Sequence, residues 1–86
     1  MADLPANTPP PLEAVLAEAR ERAREREVDA VEELLAEARV LIREQLPPGP
    51  RRERLLFGCD RAQALAADEP LVAAEYLRSL RDRVAD

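Results

Sequence analysis

Eighty-six residues carrying thirteen basic and eighteen acidic side chains, a formal charge of −5 and no histidine make a short acidic chain, one domain at most. A chain of this size buries roughly 60–65% of the surface its unfolded form exposes, so a lone monomer stands near the margin of stability. The negative charge argues against broad direct contact with nucleic acid, because contacts to phosphate supply most of such affinity.

Alanine, leucine, glutamate and arginine dominate, and β-branched residues are few and isolated. Those four residue types lose little rotamer freedom in a helix, so the fold class is all-α. Every basic residue is arginine, a bias that a GC-rich coding sequence explains without any appeal to function. The charge is uneven: residues 1–46 hold eleven acids against six arginines, and residues 47–86 hold seven of each.

The chain opens "MADLPANTPPP". It has no positive n-region and no apolar h-region, so it does not read as a signal peptide. With Met1 in place and no apolar run near the ~18–20 residues of a membrane helix, the expectation is a complete, cytoplasmic chain that does not enter a membrane. Residues 1–10 are too poor in apolar side chains to fold and read as a disordered proline-rich tail. The domain is then 11–86. Pro11 suits the first position of a helix, where its missing N–H costs nothing.

Neither Gly nor Pro occurs from Leu12 to Leu46. Leu12, Val15, Leu16, Ala19 and Ala23 form one helical stripe, and Val28, Val31, Leu34, Leu35, Ala38, Leu41 and Ile42 form a wider one. Between them runs the charged stretch Arg20–Glu27, with Ala23 as its one apolar residue. Its like-charge pairs at i,i+4 offset its opposite-charge pairs. Asp29 followed by Glu32 resembles a helix cap with its acidic third position. Two readings stand at this point: one long helix, or two helices parted near Val28.

An internal match at an offset of 39 would decide for two if it records a duplication; otherwise the bundle has three helices, the first of them long. The match pairs Pro11 with Pro50, Leu16 with Leu55, Ala23 with Ala62, Asp29 with Asp68, Arg39 with Arg78 and Leu41 with Leu80. A duplicated helical hairpin would place helices near 11–27, 29–46, 50–66 and 69–85 in a small bundle. "ADEP" then opens the last helix, with Asp68 or Glu69 as its cap and Pro70 in its first turn.

The segment "LPPGPRRER" carries the strongest chemical signal. Its prolines and Gly49 end one helix and start the next. Arg51, Arg52 and Arg54 then fall in a first turn, where the helix dipole favours negative charge. Either nearby acids such as Glu53, Glu44 or those of the first helix balance them, or they form a site for an anion or an acidic partner. No Gly-x-x-x-x-Gly-Lys pattern is present, so a nucleotide-cradling loop is excluded.

Cys59 is alone, so it forms no internal disulfide, and the chain offers no histidine as its base. A single thiol without imidazole is a poor set for zinc or iron, and no cofactor motif appears. Two aromatic residues are too few to stack on single-stranded bases. The expected function is a non-enzymatic helical module that binds another protein and self-associates. Leu34, Leu35, Leu41 and Ile42 stand central to its core or to a homodimer interface. An alternative is an acidic regulator that occupies the basic surface of a nucleic-acid-handling protein.

Overall fold

The computed structural model describes residues 11–85, and all its regular structure is helical: α1 Pro11–Arg24, α2 Val28–Gln45, α3 Pro50–Asp68 and α4 Pro70–Ala85. The proline-rich tail inferred at residues 1–10 lies outside the described residues.

The charged stretch contains a chain reversal. Arg26 N–H bonds to the carbonyl of Ala23 at 3.0 Å, and Glu27 N–H to that of Arg22 at 3.0 Å. Arg26 adopts φ 62°. This is a Schellman ending with arginine in the left-handed position usually given to glycine. Arg22 holds the turn through its guanidinium, 3.2 Å from Glu25 and 3.6 Å from Glu27, with Glu18 at 3.5 Å one turn back. The single long helix is therefore excluded. α1 ends at Arg24 rather than near 27 because the Schellman pair terminates it.

Helix α2 starts at Val28 with Glu27 as its flanking residue, so Asp29 lies inside the first turn and is not the cap. Asp68 is likewise the last residue of α3, and Glu69 alone joins α3 to α4. The proposed equivalence of Asp29 and Asp68 as caps fails for this reason. The apolar part of the repeat fares differently: Leu16 and Leu55, Ala23 and Ala62, Leu35 and Ala74, and Ala38 and Leu77 are all buried.

Each helix packs on two neighbours, α1 on α2 and α4, and α3 on α2 and α4, so the four close into a ring. Successive helices run antiparallel: Arg39 of α2 reaches Asp60 and Gln63 of α3, and Arg51 of α3 reaches Arg83 of α4. The core is graded along the bundle. Leu12, Leu16, Ile42, Leu55, Leu77 and Leu80 fill one end. The other, beside the one-residue junction at Glu69, is mostly alanine: Ala19, Ala23, Ala62, Ala66, Ala73 and Ala74. Small side chains let helix axes approach, and large ones hold them apart. Among the described residues no polar or charged side chain is buried.

Leu35 and Ile42 belong to this core, and Leu34 and Leu41 pack half-buried against it. A second copy would be needed to cover Leu12, Val15 and Leu16 if they lacked large partners within the chain. All three are buried, because α4 folds back along α1 and closes the ring. That ground for self-association does not survive.

Candidate anion-binding site

The corner between α2 and α3 is built by backbone restriction. Leu46 leaves α2 in extended geometry at φ −115° and ψ 134°, the conformation imposed on a residue before proline. Gly49 takes φ 158° and ψ −178°, a region essentially reserved for glycine. Pro50 then begins α3, and Glu53 N–H closes the first turn on the Gly49 carbonyl at 3.0 Å. As at any helix start, the first-turn N–H groups of Arg51 and Arg52 lack intrahelical partners, and Gly49 has no side chain to cap them.

Antiparallel packing brings this first turn against the last turn of α4. Arg51 donates from Nη2 to the carbonyl oxygen of Arg83 at 3.3 Å. The last carbonyls of a helix have no intrahelical donor and carry partial negative charge, so a cation is favoured there. Part of the puzzle of a basic first turn is thereby resolved, since Arg51 serves the end of the neighbouring helix. Arg51, Arg54, Leu55 and Arg83 line a cleft of about 340 Å³ at the leucine-rich end of the bundle.

Three arginines thus line one space together with Leu55. No ion pair within 4.0 Å involves Arg51, Arg52, Arg54 or Arg83 among the described residues. Glu53, Glu44 and the acids of α1 thus make no close ion pair with them. Arg52 stays out of the cleft and half-buried on another side of α3, because successive helical residues diverge by about 100°. Arg83 takes the third place. The sequence offered no local signal for it, since it lies a whole hairpin away from Arg51.

Two other chemistry-bearing groups, Cys59 and Arg39, lie at the contact of α2 with α3. Cys59 is fully buried beside the α2–α3 contact, and burial pushes its thiol up from 9.0 to about 11, with Arg39 lowering it and Asp60 raising it. A thiol held protonated at neutral pH is a poor nucleophile. Arg39 clips α2 to α3, with Nη2 2.9 Å from Asp60 Oδ1 and 2.6 Å from Gln63 Oε1. Among the described residues no cluster of three or more metal-ligating side chains occurs, and none of their helices is long and apolar enough to cross a membrane.

A family model described as Domain of unknown function (DUF8101) matches residues 1–86, and the chain belongs to that family. No curated protein and no solved structure matches it.

Proposed function

We propose that this member of the DUF8101 family is a non-enzymatic binding module that receives an acidic segment of a protein partner in the cleft of Arg51, Arg54 and Arg83. One observation carries the reading: three arginines line one cleft without a carboxylate partner among the described residues. Planar guanidinium groups present fixed forks of donors that match carboxylate and phosphate oxygens, and Leu55 adds an apolar contact for the stem that bears them. A protein segment is favoured over nucleic acid because the chain as a whole carries a net charge of −5. Asp29, Glu33, Glu37 and Glu44 form an exposed row along α2 that would repel an extended phosphate chain.

The test is thermal unfolding with a short oligoglutamate peptide, against chloride at matched ionic strength. A ligand that binds only the folded chain raises the melting temperature by mass action. The rise should disappear in the Arg54→Gln, Arg83→Gln double variant. No rise, or an equal rise in that variant, would refute the site.

The acidic row on α2 supports a second reading, in which the same chain occupies a basic surface of a nucleic-acid-handling protein. Val40, 51% exposed, interrupts that row between Glu37 and Glu44 and supplies an apolar contact. Retention on immobilised polyarginine that Glu33→Gln, Glu37→Gln and Glu44→Gln together abolish would support it. Retention unchanged by the three substitutions would count against it.

A further inference from the structure

Phe57 is 66% exposed on the side of α3 that faces away from the core. Helical spacing puts Pro50 and Ala64, both exposed, on the same line at seven residues either way. Exposed Arg54 and Arg61 flank Phe57 on one side, at three residues before and four after. Exposed Glu53 and Asp60 flank it on the other, at four before and three after. Burying an aromatic ring is worth most where the surrounding charges also find partners.

We propose that this face docks on the same face of a second copy, as a parallel two-fold pair of α3 helices with Phe57 against Phe57 at the axis. The charge layout selects both the occupant and the orientation. A two-fold axis running along the helices brings the left row of one copy against the right row of the other. Arg54 then faces Glu53 of the second copy, and Arg61 faces its Asp60. A two-fold axis across the helices makes the pair antiparallel and sets arginine row against arginine row and acid row against acid row. Flanking charges of this kind decide partner and direction in paired helices.

The neighbouring helices repeat the pattern on a larger scale. On the acidic side of Phe57 stands α2, with five acids and two arginines; on the basic side stands α4, with two acids and three arginines. The parallel arrangement places α2 of each copy beside α4 of the other. Asp60 remains largely exposed although Arg39 binds its Oδ1, so its carboxylate can take a second cation. A single exposed ring over a helix of nineteen residues makes a small interface, so the pairing is reversible and concentration-dependent. It does not use the core leucines, but it shares Arg54 with the arginine cleft, so an acidic ligand held there competes for that side chain while Phe57, Arg61 and Asp60 stay free to pair.

Sedimentation equilibrium over micromolar to millimolar chain is the first measurement. The weight-average mass should rise above the 9.6 kDa of one chain, and Phe57→Arg should weaken association by more than about tenfold. Circular dichroism confirms that this variant folds, as its exposed position requires. Orientation is read from disulfide trapping of Ala64→Cys under mild oxidation, the native Cys59 being buried. The parallel pair brings position 64 of the two copies together, whereas the antiparallel pair sets it against Pro50. A covalent dimer that forms faster than with the control Ala14→Cys on α1 supports the proposal. A mass fixed at one chain, undiminished association of Phe57→Arg, or trapping no faster than the control overturns it.

Discussion

Gly58 sits in the interior of α3, where alanine in place of glycine normally adds about 1 kcal/mol of helix stability. Here the opposite sign is expected. A Cβ built on Gly58 lies 2.5 Å from Cδ2 of Leu80, 3.1 Å from its Cδ1 and 3.3 Å from its Cγ. Carbon atoms rest at about 3.5–4.0 Å, so the whole end of Leu80 must retreat by about 1 Å. Leu80 is 3% exposed and packed in the leucine-rich end of the core. Forcing one extra carbon into such a site costs about 1–3 kcal/mol, which outweighs the helical gain. Gly58→Ala should therefore lose about 1 kcal/mol net, or roughly 4–8 °C in melting temperature for a domain of this size. Leu80→Ala alone should lose about 2–5 kcal/mol. Combined with Gly58→Ala, the loss should be smaller than the sum by about 1–2 kcal/mol, because the added methyl then enters the space that Leu80 has left. Urea unfolding followed by circular dichroism measures all four corners of this cycle. Additive losses, or a Gly58→Ala variant more stable than the parent by the full helical gain, would refute the close approach of α3 and α4.

Two further outcomes follow from single residues. Arg26→Gly should raise stability by about 0.5–1 kcal/mol, since a left-handed non-glycine residue costs about 1–2 kcal/mol and glycine returns part of that through the unfolded chain. Arg26→Ala, which keeps the left-handed strain, should show no such gain in the urea midpoint. For Cys59, both states keep the proton below 9.0; between 9.0 and about 11 the unfolded thiol ionises while the buried one does not. Stability should accordingly fall as pH rises through that window, by on the order of 2–3 kcal/mol in all. Urea titrations at pH 8 and above test this, and equal pH slopes in the parent and Cys59→Ala would contradict it.

The helical class and the starts of α1 and α3 were legible because their causes are local. Pro11 and Pro50 begin helices by steric preference, and apolar stripes at steps of three and four mark buried faces wherever those faces end up. Both kinds of signal survive without knowledge of the fold. The end of α1 did not, because its Schellman turn uses Arg26 where the recognisable residue is glycine. The covering of Leu12, Val15 and Leu16 was also out of reach. A stripe tells that a face is buried, not which helix buries it, and here the last helix returns to the first.

The same distinction divides the arginine corner. Arg51, Arg52 and Arg54 are neighbours in the chain, but a helix turns adjacent side chains apart and brings together those three and four residues distant. Arg51 and Arg54 therefore share the cleft and Arg52 leaves it. Arg83 joins them only because the antiparallel run of α3 and α4, joined by Glu69 alone, sets the start of one against the end of the other. That register depends in turn on Gly58 of α3, which admits the side chain of Leu80 from α4, and on the buried alanines of the same hairpin, Ala62, Ala73 and Ala74. A cation-lined cleft in an acidic chain is thus a property of helix packing, and substitutions that shift α4 along α3 should disperse it without touching an arginine.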